Sequence, residues 1–561
     1  MKHAGPISGI ACHSNGLIAT AGYDNQVILW DAETHLPVLR GFHDHLANQC
    51  SFSADGRYLV SSGSDYTARI WSVPDMRLVS VCIGHNDDIE MSVFHPRGEV
   101  IATCSRDHDI RTFKIDGTPM TRLQGHTADV ISVSWVGDGN TLVSSSDDGT
   151  IRHWDGRTGA LLETHDLGGI ETDTIVITDM GVVFAGNDAG DILTIKDGEI
   201  TKTSAHEAGI KRLAYSATEK LLVSLSYDRS LMVWQVGADD ELTLQLKADL
   251  PSIIWPRSVA FQSKDKLVFG TFGSTYATFN LESQSWNIDG IEPYVSFNAV
   301  TNHNGDIYAI GDSGRLFCNG KPISEVGSLC NFLQPLGDLI LTGGQIGAIF
   351  DARSGKLVHQ HKSPLNTAAT FTKNGTPHVI VGTYTGEGII LRLKQQGTAE
   401  YAETIQLDDN AIKGIACSGD YIFSVCATGA CAIHRISDYG LEHALENAHD
   451  RIANGCVVLP NGQFASVSRD LKLRVWDGAT ASVYDTPVTN SIKCVSATTD
   501  GKFIAVGSYG GQIAIFDTSA CAWLKEVRPT AAGISNIAPA AAPGRFLASS
   551  YDGYIHELTA V

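Results

Sequence analysis

Residues 144–154 read SSSDDGTIRHW. A short strand of small residues leads into an Asp-Gly turn, and an alternating run follows that ends on Trp154. A short run, a tight turn and a period-two run after it predict two antiparallel strands. The same phrase recurs as SSGSDYTARIW (61–71), TCSRDHDIRTF (103–113), SLSYDRSLMVW (224–234) and SVSRDLKLRVW (466–476), with the Asp always six residues before the aromatic. Upstream of 144–154 stands another alternating run, VISVSW (130–135), and before it Gly125-His126. Downstream, WDGRTGALLET adds a turn and a fourth strand.

The turn position can be followed along the chain at Asp24, Asp65, Asp107, Asp148, Ala189, Asp228, Gly273, Asp312, Gly344, Gly386, Gly429, Asp470, Gly510 and Asp552, a mean step of about 41 residues. That period fits a four-stranded propeller blade, repeated fourteen times. One step, Asp312 to Gly344, is short, so the blade count over 285–350 is the least constrained. Rings typically have four to eight blades, so fourteen must divide. The expected fold is all-β, with two seven-bladed rings over residues 1–290 and 291–561. No spare strand is evident at either end. Either one blade has three strands or the rings exchange strands to close.

Composition narrows the function classes. Of 561 residues, 41 are basic and 62 acidic, a net charge of −21, which argues against a broad face for nucleic acid or an anionic membrane. Glycine, at 56 residues, is in excess, as many tight turns require. The N-terminus lacks a secretory pattern, and no run of ~18 apolar residues occurs, so no membrane insertion is expected. The 12 cysteines form no CxxC pair and sit in apolar runs, which predicts reduced thiols in a cytoplasmic protein. Cys426/Cys431, His359/His361 and His43/His45 are weak metal patterns, and neither metal nor cofactor is expected. No GxxxxGK[ST], HExxH or GxSxG motif occurs.

The repeats resemble the WD40 family over essentially the whole chain, with Trp-Asp endings at Trp30-Asp31, Trp154-Asp155 and Trp476-Asp477. The double arrangement is similar, in architecture only, to that of actin-interacting protein 1. The resemblance implies two tandem seven-bladed WD40 β-propellers, the second degenerate. It also implies structural His–Ser/Thr–Asp–Trp tetrads: His3/Thr20/Asp24/Trp30, His43/Ser61/Asp65/Trp71, His126/Ser144/Asp148/Trp154, His206/Ser224/Asp228/Trp234 and His449/Ser466/Asp470/Trp476. His85, Thr103 and Asp107 form a sixth set with Phe113 in place of Trp. Recurrence in several blades argues against reading any Asp-His-Ser set as a catalytic triad.

In the family, the residue before the turn Asp faces the ring entrance and contacts partners. Carried over, it marks Tyr23, Ser64, Arg106, Asp147, Tyr227 and Phe272 in the first ring, and Arg469, Tyr509 and Tyr551 in the second. Aromatic and Arg side chains are the usual anchors of protein interfaces. The function implied is a non-catalytic scaffold for protein–protein interaction, a subunit or adaptor of a larger assembly. The alternatives are a sensor holding a small ligand in a ring channel and, more remotely, an enzyme. Acidic loops such as HNDDIE (85–90) and GADDEL (237–242) either steer a partner with a basic surface or serve solubility. The excursion 237–256, with Ile253, Ile254 and Trp255, is expected to pack between rings or to face a partner.

Overall fold

The structure is a computed structural model and describes residues 1–137, 139–293, 295–446 and 448–560. The chain forms two compact units, Met1–Tyr294 and Val295–Val561. Among the described residues there are 55 strands and no helix. The strands make fourteen antiparallel sheets in which sequential strands are neighbours. We number these blades 1–14 and letter their strands a to d from first to last.

Unit 1 holds seven complete four-stranded blades. Its innermost strands run Ile7–His13, Ala47–Phe52, Ile89–Phe94, Val130–Trp135, Thr172–Ile177, Ile210–Ser216 and Ile254–Ser263. Each strand a packs on strand a of the next blade, and the seventh packs on the first, so the ring closes. Unit 2 closes in the same way through strands a at Ala299–His303, Cys330–Leu336, Leu365–Lys373, Ile412–Ser418, Ala453–Val458, Ile492–Ala497 and Ile534–Pro539. Blades 8 to 13 have four strands; blade 14 has three. The three-stranded alternative is therefore the one realised, and it modifies the expectation of four strands in every blade.

Closure uses no exchanged strand. In unit 1 the His3 N–H donates to the Ser274 carbonyl (2.9 Å) and the Ser274 N–H to the Glu292 carbonyl (2.9 Å), while Lys2 pairs with Glu292. Gly273 and Pro293 form a further bridge, which keeps the segment up to residue 293 with unit 1, slightly past residue 290. In unit 2 the Ser535 hydroxyl donates to the Phe297 carbonyl, and the Val300 N–H donates to Asn536 Oδ1 (3.2 Å).

The apolar residues of strands b and c meet those of the neighbouring blade, so the core is a circle of seams rather than one centre. Ile18, Ile28 and Trp30 of blade 1 pack with Val268 and Tyr276 of blade 7, for example. The excursion at 237–256 contains strand d of blade 6, Leu242–Asp249, and the start of strand a of blade 7. Trp255 then packs inside unit 1, edge-on to Tyr23 (5.0 Å) and stacked on Phe272 (5.4 Å).

Blades 8 and 9 are both present, which settles the count over 285–350. The turn register in four blades differs from the sequence expectation. In blade 2 the Tyr66 N–H, one residue after Asp65, donates to the Gly63 carbonyl (3.3 Å). The matching bonds run from Gly314 to Gly311, Gly347 to Gly344 and Gly429 to Cys426. The positions equivalent to Asp65 are therefore Ser313, Ile346 and Thr428, and Asp312 lies one residue earlier. In blade 10 the Tyr384 N–H donates to the Pro364 carbonyl, as Ser64 does to Leu46 in blade 2, so Thr385 takes the Asp65 position. None of these four blades has a Trp or Phe six residues after that position to mark the register, and glycine can serve at adjacent turn positions.

Candidate functional site

The tetrads hold the entry loops in place. In blade 4, His126 Nδ1 lies 2.8 Å from Asp148 Oδ2, His126 Nε2 lies 2.8 Å from Ser144 Oγ, and the Trp154 indole N–H donates to Ser144 Oγ (2.9 Å). The Thr127 N–H also donates to Asp148 (3.0 Å). A ring nitrogen facing a carboxylate carries the proton, so Nδ1–H donates and Nε2 accepts the Ser hydroxyl. Burial pushes the His126 pKa down, keeping the ring neutral as this assignment needs. Every polar atom of the set then has a partner.

The other four sets repeat this geometry. In blade 1, Thr20 Oγ1 lies 2.7 Å from His3 Nε2 and accepts the Trp30 indole N–H at 2.7 Å, with Asp24 on the far side of His3. In blade 2, Ser61 Oγ lies 2.7 Å from His43 and 2.8 Å from Trp71, with Asp65 behind His43. In blade 6, Ser224 Oγ lies 2.8 Å from His206 and 3.0 Å from Trp234, with Asp228 behind His206. In blade 12, Ser466 Oγ lies 2.8 Å from both His449 and Trp476, with Asp470 behind His449. In blade 3, His85 bridges Asp107 (3.0 Å) and Thr103 (2.8 Å), and Phe113 brings no N–H.

Thr20, Ser61, Ser144, Ser224 and Ser466 are all wholly buried, at 0% exposure. The tetrad hydroxyls of Thr20, Ser61, Ser144, Ser224 and Ser466 are therefore structural and belong to no reachable site. The physical reason is their place in the middle of strand b, where each hydroxyl is enclosed between a His and a Trp. None of them can touch a partner or attack a substrate, and their role ends at holding the blade.

A second set of residues gathers at the centre of unit 1. In most blades strand a carries a β-bulge near its start, at Ser8, Asn48, Glu90, Ile131, Asp173 and Lys211. A bulge turns one side chain out of the strict in-and-out alternation. Its polar members meet the residues after strand b. Arg106 pairs with Glu90 and, at 2.8 Å, with Asp129. Arg257 of blade 7 reaches the same Glu90 of blade 3 at 3.4 Å, although the two are 167 residues apart. Lys211 pairs with Asp173 and Asp188, and its ammonium lies 4.9 Å over the Tyr227 ring.

Of the expected collar, Tyr23, Arg106, Asp147, Tyr227 and Phe272 thus belong to one connected group. Tyr23 joins it through Trp255 and through the charge of Arg257. Ser64 instead pairs with Asn48 (3.2 Å) and is buried, and Phe272 is buried beneath Trp255; both back the mouth rather than rim it. In unit 2, the Arg469 guanidinium lies 5.5 Å over Tyr509, whose ring stacks at 6.5 Å on Tyr551. Lys493 approaches Tyr509 from the bulge position of blade 13.

Sequence reasoning missed Asp188, the collar residue of blade 5, and the bulge residues Glu90, Asp173 and Lys211. A signal did exist for the latter: each is a charged residue at the second position of its first strand.

Carboxylates outnumber cations in the unit 1 mouth. Burial raises the Asp147 carboxyl well above its usual range, Glu171, Asp129 and Asp173 push it further, and Arg106 only partly opposes them. Burial also raises Asp188, to about 6, against the pull of Lys211. Asp147 Oδ1 is enclosed and has no hydrogen-bond partner among the described residues. Of the residues in the weak metal patterns, His43 serves its tetrad and His359 stacks on Tyr401 at 4.6 Å. No helix of the described residues is long and apolar enough to cross a membrane.

The WD domain, G-beta repeat family matches six segments: residues 1–31, 36–72, 76–114, 117–155, 198–235 and 481–517. Five lie in unit 1 and end on the third strands of blades 1, 2, 3, 4 and 6, the blades whose His–Asp bridge is intact. A transcriptional corepressor of Arabidopsis thaliana, LEUNIG_HOMOLOG, is 23% identical over 39% of this chain and 34% of its own length. A nuclear distribution protein of Aspergillus niger, nudF, is 30% identical over 27% of this chain and 39% of its own length. A guanine nucleotide-binding protein subunit beta of Nicotiana tabacum is 26% identical over 42% of this chain and 68% of its own length. The chain spans between a third and two-fifths of the length of the first two relatives. Matched segments, bridged tetrads and ring closure agree: the chain carries WD40 repeats, five of the matched segments in unit 1 and one in unit 2.

Proposed function

We propose that this protein is a non-catalytic scaffold, a subunit or adaptor of a larger assembly, and that the mouth of unit 1 takes a basic segment of a partner protein. One observation carries the reading: Asp147 Oδ1 has no donor among the described residues and stands amid Glu171, Asp129 and Asp173. A Lys or Arg side chain would supply the missing donor and offset the excess of negative charge. The aromatic side of the same mouth, Tyr23 with Trp255 behind it, offers apolar contact for the stem of such a residue. The names of the relatives, a subunit and a corepressor among them, favour a role in assemblies. Twelve free cysteines, most of them buried, fit the cytoplasm. An acidic mouth disfavours nucleic acid.

The test is an array of Lys/Arg-rich peptides, with the best binder followed kinetically. Association should slow by roughly 10-fold or more between low and high salt, since steering of this kind is screened. Asp147→Asn combined with Glu171→Gln should weaken binding while leaving the melting temperature in place. A preference for acidic peptides, or binding indifferent to the double substitution, overturns the reading.

A further inference from the structure

The seam between blades 4 and 5 differs from its neighbours. Blade 5 has no tetrad, and Ile195 stands on its third strand where blades 4 and 6 carry Trp154 and Trp234. A Trp at that position crowds the blade before it: a Cβ added at Gly41 would lie 2.7 Å from the Trp71 ring. Ile195 asks for less room. Blade 4 uses the space in an unexpected way, with two imidazoles.

His153 lies on strand c (Thr150–Asp155), and Glu163 and His165 on strand d (Leu161–Asp166). His153 pairs directly across the ladder with Glu163, and His165 follows two residues on, so all three share one face. In blade 2 the equivalent positions hold Ile70, Ser80 and Cys82, and Ile70 and Cys82 are fully buried. Imidazoles are a costly choice for such positions unless their nitrogens are used.

The nitrogens converge. The His153 and His165 rings are 5.3 Å apart and edge-on, and His165 Nε2 lies 3.6 Å from Glu163 Oε1. One ligand atom from each of the three residues lies within 4.8 Å of the others. His153 Nε2 is enclosed and has no hydrogen-bond partner among the described residues.

We propose that His153, Glu163 and His165 bind a divalent first-row transition metal ion, zinc by the chemistry of the donor set. Two imidazole nitrogens and one carboxylate oxygen suit zinc, at bond lengths of about 2.0–2.2 Å, with the fourth position left to water. The opening lies on the side of Glu163, whose side chain is about half exposed. The ion would staple strand c to strand d at the seam where the tetrad is missing. The site lies on the outer strands of the blade, apart from the first-strand bulges of the mouth, and does not depend on the reading given above.

The experiment uses the full chain, free of any affinity tag and stripped by a chelator. Cobalt(II) serves as the visible probe and Zn²⁺ as competitor. We expect d–d absorption that saturates at one equivalent, is quenched by Zn²⁺, and is accompanied by a rise in melting temperature on adding Zn²⁺. His153→Leu with His165→Leu restores the apolar seam seen in blade 2, should fold, and should lose the spectrum. Loss of an outer partner of a metal site costs 10–100-fold, so Glu163→Gln, which removes a direct ligand, should cost at least roughly 10-fold in affinity. Glu163 is exposed enough that this variant should fold even if the double variant does not. Absence of one-equivalent binding, an unchanged Glu163→Gln, or an unchanged spectrum in the folded double variant each overturns the proposal.

Discussion

Two buried carboxylates of unit 2 meet opposite fates. Asp470 is buried, which raises its pKa, but His449 and Arg474 outweigh that cost and hold it at about 2. Asp312 is the more deeply buried of the two, and among the described residues only the Ser296 hydroxyl and the Asn298 amide (2.8 Å) donate to it. Burial wins, and its pKa rises to about 6. The consequence for stability follows by linkage. A group whose folded pKa lies above its unfolded value near 3.8 contributes stability below about pH 4 and loses it as pH rises through 6. Asp312 is therefore a burden at pH 7.5. Replacement by Asn keeps the shape and removes the charge. With a shift of about two units at 1.36 kcal/mol each, Asp312→Asn should stabilise by on the order of 1–3 kcal/mol at pH 7.5 and by roughly half as much at pH 5. Urea titrations of both proteins at the two pH values give the comparison, and taking differences cancels the contribution of Asp188. A variant that is less stable at pH 7.5, or a difference independent of pH, contradicts the argument.

At the scale of strands, the bulge explains how blades without tetrads stay joined. The bulge frees the carbonyl of the first residue of strand a. In five seams an Asn of the preceding blade donates to it: Asn48 to Ile89 (3.0 Å), Asn298 to Cys330 (3.1 Å), Asn331 to Leu365 (2.8 Å), Asn366 to Ile412 (2.9 Å) and Asn454 to Ile492 (2.7 Å). Four of the five lie in unit 2, where only blade 12 has a tetrad. Asn366→Ala leaves the Ile412 carbonyl unpaired and should cost about 1–2 kcal/mol, seen as a lower melting temperature. No change would mean that water replaces the amide at no cost. This stitching was invisible in the sequence, because a bulge shifts register without changing composition. The tetrads were legible for the opposite reason: His, Asp and Trp at fixed spacing are rare residues held by mutual need, and the same spacing located the collar. In four blades where no Trp or Phe stood six residues after the true turn position, the turn was misplaced, by one residue at Asp312, Gly386 and Gly429 and by two at Gly344. Asp188 was passed over because Ala189 follows it where other blades place Asp.

At the scale of the molecule, each unit closes on itself. His3, Ser274 and Glu292 tie the two ends of unit 1 together, and Phe297, Ser535 and Asn536 do the same for unit 2. Neither closure borrows a strand from the other unit, so each ring contains the contacts that complete it. Residues 1–293 and 295–561, produced separately, should each fold to a β-rich species with its own cooperative melt. The two should not be equally stable. Unit 1 has Trp-bearing tetrads in blades 1, 2, 4 and 6, while unit 2 has one, in blade 12, and ends on a three-stranded blade held at its edge by the Ala560 N–H bond to Gly544 (2.8 Å). With a net contribution of about 1 kcal/mol per buried hydrogen bond, the deficit amounts to several kcal/mol, only partly offset by the Asn bonds. The second fragment should therefore melt first. Circular dichroism with thermal ramps on both fragments decides the matter: failure of either fragment to fold means that closure needs the other unit, and a more stable second fragment means that the tetrads are not what separates the two rings.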